Sequence, residues 1–201
     1  QADLIIAVGY DPIEMNYEEW VGQTPVMHIS TEAAEDDGSI AFVWNRACHI
    51  NAAVAAMAKI PPVSNLWSVE DWRDHRMSFD RALRPASSQF AAHHVLDILR
   101  EKLASDGILA YDVGAHTHQI ASQWRTDCPK SLLATNGWSS MGYGMPAAYA
   151  AKLVFPDREV VAVVGDGGFQ MTVGELSLAR RLRLQVPVIV LNDGWLGLMK
   201  V

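Results

Sequence analysis

Between residues 159 and 200 the sequence reads EVVAVVGDGGFQMTVGELSLARRLRLQVPVIVLNDGWLGLMK, and this stretch constrains the fold more than any other. A β-branched run ends in Gly165-Asp166-Gly167, an amphipathic stretch follows, and a second β-branched run ends in Asn192-Asp193-Gly194. Runs that stay apolar without alternation belong to strands buried on both faces, the condition met in parallel sheets. The 24 residues between Gly167 and Asn192 hold one helix of about 11 residues, roughly 16 Å long, and one strand of about 6 residues, roughly 20 Å long. Those lengths nearly cancel. A right-handed crossover therefore returns the chain to the same edge of the sheet and sets Asp166 and Asp193 together at the carboxyl ends of two parallel strands, the edge at which open α/β sheets bind ligands.

The same alternation runs through the rest of the 201 residues. Strands are expected at 4–8, 26–29, 41–44, 108–112, 160–164 and 186–191. Helices are expected at 50–59, 89–105, 146–154 and 173–182, with Gly107 as the stop of the second. This is an α/β pattern of doubly wound parallel sheets. The periodicity is weakest between 61 and 88, where Pro61 and Pro62 precede Trp67, Trp72 and the mixed-charge stretch EDWRDHR, and Ser87 and Ser88 close the segment. A boundary there gives a first unit at 1–65, small for a sheet that buries both faces, a linker at 66–88 and a second unit at 89–201. Residue 1 is Gln, a strand already begins near Leu4, and the sequence stops at Val201 in mid-pattern. The expectation is a piece of a longer polypeptide whose first unit is a truncated half-domain.

Half of the residues are apolar and 19% are charged, enough for a core and too apolar for a disordered chain. Lys and Arg total 16 against 23 Asp and Glu, a net charge of −7 without blocks of like charge. That balance argues against nucleic acid or an anionic membrane as partner, so an anionic ligand needs a local device. Cys48 and Cys128 stand 80 positions apart with no CxxC, against a disulfide scaffold or a zinc site, and are expected to be inert. No apolar run approaches the roughly 20 residues of a membrane helix, and no basic segment precedes an apolar one, so a cytoplasmic protein is expected.

The local device is legible at the two strand ends. Two carboxylates with an amide beside them are hard oxygen donors that suit magnesium or calcium rather than zinc, and magnesium keeps positions open for phosphate oxygens. Gly165, Gly167 and Gly168 let main-chain amides approach an anion closely, and the following helix presents free N–H groups to it. Thr172-Val173-Gly174-Glu175 reads as a capping box, which places the start of that helix near Val173. Either motif alone also fits a plain turn or loop. Both at this spacing, each directly after a buried strand, favour a magnesium-bridged diphosphate.

GDG followed by some two dozen residues and an Asn-Asn or Asn-Asp pair resembles the thiamine diphosphate fingerprint of the pyruvate decarboxylase and acetolactate synthase superfamily. DVGAHTHQ (112–119) and NGWSSMGYGMPAAYAA (136–151) resemble acetolactate synthase segments. GYDPIEMNYEEW (9–20) resembles the central domain of the catabolic acetolactate synthases and leans toward the flavin-free branch. The resemblance implies part of a central Rossmann-like domain followed by a thiamine diphosphate-binding domain, with thiamine diphosphate and Mg2+ as cofactors. It implies that the carboxylates of Asp166 and Asp193 and the main-chain carbonyl of Trp195 hold the metal. Gly167, Gly168 and His116 would touch the diphosphate, with Gly165 in the same cofactor-binding set. Met141 corresponds to the bulky apolar residue that wedges between the two cofactor rings, and the Ser139 carbonyl would accept from the 4'-amino group; these two carry the catalytic geometry. Leu198 and Met199 correspond to apolar residues near the thiazolium and the substrate. Two departures stand out. Asp193 replaces the commoner Asn and adds a negative charge that tightens the metal while weakening attraction for diphosphate, and Ala115 and Thr117 replace glutamines of the usual DVGQHQ form.

By the same resemblance, the complete enzyme would be a transferase or lyase that joins its cofactor to a 2-keto acid such as pyruvate, expels carbon dioxide and passes the remaining unit to a second carbonyl compound. A simple decarboxylase of the same superfamily is the alternative. The essential glutamate of the superfamily belongs to an N-terminal pyrimidine-binding domain that these residues do not include. A homodimer or tetramer in which another subunit supplies that domain is expected, and this chain alone is expected to be inactive, or a non-catalytic assembly piece. A rival from another class is a nicotinamide dinucleotide module, because Gly142-Tyr143-Gly144-Met145-Pro146-Ala147 fits GxGxxA before a helix. Against it, TNGWSSM stands where a buried strand should run into the first glycine. His116 and His118 lack a third partner for zinc, and His93 and His94 read as surface or packing residues on a helix.

Overall fold

The computed structural model describes residues 2–11, 21–61, 67–86, 90–135 and 138–199. Most of GYDPIEMNYEEW, Pro62, Ser87 and Ser88, the expected helix start at Gln89, Asn136 and Gly137 of the 136–151 segment, and residues 200–201 lie outside the described residues. The chain divides into two compact units, Gln1–Leu66 and Trp67–Val201.

In the first unit three parallel strands, β1 (Ile5–Val8), β2 (Val26–Ser30) and β3 (Phe42–Ala47), lie in the order β1-β2-β3, and α1 (Ile50–Met57) follows. The central strand carries the buried residues Val26, His28 and Ile29, whereas Ile6 and Val8 of β1 are exposed. Asn45 of β3 pins the connection before it: the Ala34 N–H donates to its Oδ1 and its Nδ2 donates to the Ala34 carbonyl, each at 2.9 Å.

The second unit opens with α2 (Val69–Ala82), inside the stretch expected as linker. Its start has a physical cause that the apolar pattern does not show. Ser68 Oγ accepts from the Asp71 N–H at 3.0 Å while the Asp71 carboxylate accepts from the Ser68 N–H at 2.9 Å, a closed capping box. Further along come α3 (Ala92–Lys102), β4 (Ile108–Tyr111), α4 (Ala115–Gln123), the two-residue β5 (Leu132–Leu133), α5 (Gly144–Val154), β6 (Val160–Gly165), α6 (Asp166–Thr172), a 3-10 turn (Val173–Glu175), α7 (Leu176–Leu182), β7 (Val188–Leu191) and a last 3-10 turn (Gly197–Met199). The four strands are all parallel, in the order β5-β4-β6-β7.

Alternate residues of β4 and β6 serve opposite faces. Ile108, Ala110, Val160, Ala162 and Val164 pack with Met145, Ala148 and Tyr149 of α5, and Phe169 and Ala179 of α6 and α7 join them. Leu109, Tyr111, Val161 and Val163 pack with Leu96 of α3, Ile120 of α4 and Trp124. Both faces are therefore covered, which is the doubly wound arrangement. From β4 the chain moves outward to β5 over one face, then returns through α5 over the other to β6 on the far side of β4. The strand order reverses between β4 and β6, and the ends of these two strands form the topological switch point where such sheets bind ligands.

Helix boundaries differ from expectation: the helix expected at 50–59 ends at Met57, the one expected at 146–154 begins at Gly144, and two others depart further. The helix after β6 begins at Asp166 rather than near Val173, because Gly165 enters with extended backbone (φ −78°, ψ 161°) and Asp166 sets a negative charge in the first turn. Thr172 caps nothing: its backbone is at φ −124°, ψ 17°, and its hydroxyl is 3.4 Å from the Gly168 carbonyl, one turn back in α6. The helix expected at 89–105 ends at Lys102, with Leu103 as its cap in extended backbone. Gly107 instead belongs to the tight approach before β4, where an added Cβ would stand 2.5 Å from Leu103 Cγ. Among the described residues no helix is long and apolar enough to cross a membrane.

Candidate functional site

A cleft of about 790 Å³ opens at the carboxyl ends of β4, β6 and β7. All the residues singled out from the sequence line it: His116, Ser139, Met141, Gly165, Asp166, Gly167, Gly168, Asp193, Trp195, Leu198 and Met199. They come from three separate segments. The start of α4 supplies His116, the segment before α5 supplies Ser139 and Met141, and the last residue of β6 with the stretches after β6 and β7 supplies the remainder.

The β6 and β7 ends meet through register. Gly165 is paired with Leu191, so Asp166 and Asn192 leave the sheet side by side at the same end. Beyond that point the chain folds into two successive side-chain turns: Asn192 Oδ1 accepts from the Gly194 N–H and Asp193 Oδ1 accepts from the Trp195 N–H, each at 3.0 Å. Gly194 has φ +69°, a conformation that favours glycine. The Asp193 Oδ2 atom lies 3.5 Å from where a Cβ on Gly197 would stand, so that glycine keeps the approach to the carboxylate clear.

The glycine turn after β6 is closed by apolar groups. A Cβ on Gly167 would lie 2.9 Å from Leu196 Cδ2 and 3.0 Å from Met141 Cε. The methionine thus reaches over the turn, and any side chain at 167 would push it away. Opposite stands His116, at the start of α4 and buried. A Cβ on Gly165 would be 3.3 Å from its Cε1 and one on Gly114 would be 2.8 Å away, so two glycines make room for the ring. Burial holds the imidazole below its ordinary pKa, against the opposing pull of Asp112, of a hydrogen bond to the Asp112 main chain, and of Asp193. Among the described residues, His116 Nε2 is a buried side-chain polar atom with no hydrogen-bond partner. Buried polar atoms are rarely left so, and a ligand in the cleft is the natural partner.

These features fit a magnesium diphosphate group. The cleft lining contains the carboxylates of Asp166 and Asp193 and, among the described residues, no Lys or Arg. A diphosphate approaching those carboxylates needs a divalent cation between them, and oxygen donors of this kind suit magnesium. The turn at 165–168 accepts no Cβ at 167 without displacing Leu196 or Met141, and none at 168 without striking the Asp112 carboxylate, which leaves its main chain accessible to an anion. Among the described residues no cluster of three or more His, Cys, Asp or Glu side chains could hold a metal.

Several lining residues carry no signal in the sequence. Phe90 comes from the approach to α3, Val95 from α3 and Gln119 from α4, and Leu196 closes over Gly167. Asp112 is the other omission, and it had a signal: an acidic residue directly after a buried strand, as Asp166 is, with a glycine two positions on. Its carboxylate accepts from the N–H groups of Gly142 and Tyr143 at 2.9 and 3.1 Å. In a dinucleotide fold, such amides face a phosphate. Here they are already taken, and the strand before them ends at Leu133, far short of Gly142. His93 is buried and tilted against His94, with ring centroids 4.1 Å apart, and its carbonyl accepts from Gln123 Nε2.

Residues 112–201 match the family model described as thiamine pyrophosphate enzyme, C-terminal TPP binding domain. The chain is 27% identical over 207 residues to the acetolactate synthase large subunit of Lactococcus lactis, covering all of this chain and 36% of that protein. It is 28% identical over 214 residues to the isozyme 3 large subunit of acetolactate synthase from Escherichia coli, covering 99% of this chain and 37% of that protein. It is also 28% identical over 208 residues to an acetolactate synthase of Bacillus subtilis, covering 96% of this chain and 35% of that protein. The chain spans about a third of the length of these relatives. The likeness to thiamine diphosphate-dependent, acetolactate synthase-like proteins, read first from short motifs, extends along the whole chain.

Proposed function

We propose that this chain is the cofactor-holding part of a thiamine diphosphate- and magnesium-dependent enzyme that decarboxylates a 2-keto acid, with pyruvate as donor, and joins the product to a second carbonyl compound. One observation carries the reading: residues from three distant segments, chosen for their match to one cofactor, line a single cleft at the switch point of the sheet.

Each group has a physical task there. Asp166 and Asp193 would offer carboxylate oxygens, and Trp195 a carbonyl, to a magnesium ion, which would supply the positive charge that a diphosphate needs. The amides of Gly167 and Gly168 would meet the same anion, which would also give His116 Nε2 the partner it otherwise lacks. Met141 stands over the glycine turn, where its bulk would separate the two rings and force them into a bent arrangement, and the Ser139 carbonyl would orient the amino group of the pyrimidine. Leu198 and Met199, 49% and 73% exposed, would offer apolar surface beside the reacting carbon where the substrate enters. Bound thiamine diphosphate supplies a nucleophilic carbon and an electron sink for loss of carbon dioxide. A second subunit bearing a pyrimidine-binding domain would complete the site, and the 2-keto acid would enter from the face lined by Leu198 and Met199.

Calorimetric titration of the full-length protein with thiamine diphosphate and Mg2+, set beside a titration with NADH, tests the cofactor. Saturable binding of the first that requires the metal is expected; binding of NADH alone would overturn the reading. With pyruvate as substrate, acetolactate as product supports carboligation, and acetaldehyde alone would reduce the function to decarboxylation.

A further inference from the structure

Asp112 is the buried carboxylate that the proposed function leaves without a task. It follows β4 with 1% of its surface exposed, where a carboxylate is tolerated only if its oxygens are hydrogen-bonded. Three main-chain N–H groups meet that need. Val113 donates to Oδ1 at 2.9 Å, Tyr143 donates to Oδ1 at 3.1 Å and Gly142 donates to Oδ2 at 2.9 Å. Two of these donors come from a turn some 30 residues further along the chain.

That turn directly follows Met141. Gly142 holds φ +86°, and a Cβ on it would stand 3.0 Å from Thr172 Cγ2, so the turn is fixed in shape and seated against α6. On its other side the Asp112 carboxylate presses on Gly168, where an added Cβ would overlap Oδ2. Met141 Cε in turn lies close over Gly167. A single carboxylate therefore touches both the turn that carries Met141 and the glycine turn that faces the diphosphate.

We propose that Asp112 is a positioning residue. By clasping the amides of Gly142 and Tyr143 it fixes Ser139 and Met141 relative to the glycine turn at 165–168, and so sets the shape of the cleft that receives the ring part of the cofactor. This inference rests on the thiamine diphosphate reading. It differs from that reading in its consequence, because the clasp governs the rings and not the diphosphate. Asp112→Asn keeps the volume and the contact with Gly168, yet turns an N–H toward amides that need an acceptor. The 139–143 segment should loosen while the glycine turn stays in place.

Two ligands separate these effects in the full-length protein: thiamine diphosphate with Mg2+, and inorganic pyrophosphate with Mg2+. Asp112→Asn is expected to weaken thiamine diphosphate by about tenfold or more, the scale of one lost charge-assisted hydrogen bond, while magnesium pyrophosphate affinity changes by less than about twofold. Hydrogen exchange at the Gly142 and Tyr143 amides, measured without added cofactor, should rise by a similar factor while the β6 amides stay protected. If Asp112→Asn does not fold, Gly142→Ala carries the test, since it strains the same turn and leaves the carboxylate in place; the same split between the two ligands is expected. Equal loss of both ligands, or no change in either ligand or exchange, overturns the positioning role. Failure of the unaltered protein to bind thiamine diphosphate overturns the functional reading instead, and the exchange result at Gly142 and Tyr143 still decides whether the clasp exists.

Discussion

Gly165 and Leu191 are register partners on adjacent parallel strands, and the proximity of the two segments in the proposed metal site follows from that pairing. It sends Asp166 and Asn192-Asp193 out of the same end of the sheet, next to each other, although more than two dozen residues separate them in the chain. If Asp166 holds the metal, Asp166→Ala in the full-length protein removes one carboxylate ligand from an ion that has few. Magnesium-dependent affinity for thiamine diphosphate should fall by more than about a hundredfold, above the range for loss of a mere supporting group. Unchanged retention of the cofactor during gel filtration in Mg2+ buffer would refute the assignment.

Met141 makes a different prediction because it bears on shape and not on charge. Its terminal methyl group covers Gly167, so truncation to Ala opens the cleft above the turn without altering a diphosphate ligand. Turnover should drop by about a hundredfold, as small misplacements of reacting groups do, while affinity for magnesium pyrophosphate stays near that of the unaltered protein. Proportionate losses in the two measurements would argue that Met141 is core filling and nothing more.

Asp166 and Asp193, the proposed metal ligands, were legible because each lies within two residues of the end of an apolar strand, and strand ends in a parallel sheet share an edge whatever the intervening chain does. The same rule applied to Asp112 would have found the clasp, but its donors, Gly142 and Tyr143, are amides, and no sequence pattern marks an amide as a partner. Thr172 misled for a related reason. Its spacing to Glu175 satisfies the capping motif, yet α6 had already started at Asp166, so no free helix end remained for the hydroxyl to cap. Helix α2 was hidden because the charged stretch EDWRDHR interrupts its apolar positions and none of its 14 residues is buried, while the Ser68 and Asp71 capping box marks its start. Phe90 and Gln119 reach the cleft through the packing of α3 beside α4, a tertiary fact that local spacing does not encode.

Stability should respond most to residues at the centre of the four-stranded sheet. Leu109 is fully buried between β4 and the α3 and α4 face, packed with Leu96, Ile120 and Val161. Leu109→Ala leaves a cavity lined by branched side chains that cannot collapse, at a cost of about 2–5 kcal/mol. Ser68→Ala, which removes the cap of exposed α2, should cost only about 1 kcal/mol. Urea midpoints for the two variants give the comparison, and a reversed order would place the core elsewhere.

Acid should unlock the contact between the segment just after α2 and helices α3 and α4. Arg84 grips Asp97 with two donors, Nε to Oδ2 at 2.9 Å and Nη2 to Oδ1 at 2.7 Å, and Gln123 Nε2 donates to Oδ1 at 2.8 Å. Hydrogen bonding from Arg84 lowers the Asp97 pKa, with help from Gln123 and against some desolvation. A carboxyl group whose folded pKa is depressed stabilises the fold above its unfolded pKa, about 3.9. That contribution shrinks as pH falls through this value and vanishes below the folded one. The pair is partly exposed and screened by solvent, so the effect is small. Asp97→Asn should therefore lower the melting temperature slightly at neutral pH, and the gap to the unaltered protein should close as pH drops below that of an ordinary carboxylate. A gap that persists unchanged at low pH would mean that Asp97 acts through the neutral hydrogen bond from Gln123 and not through its charge.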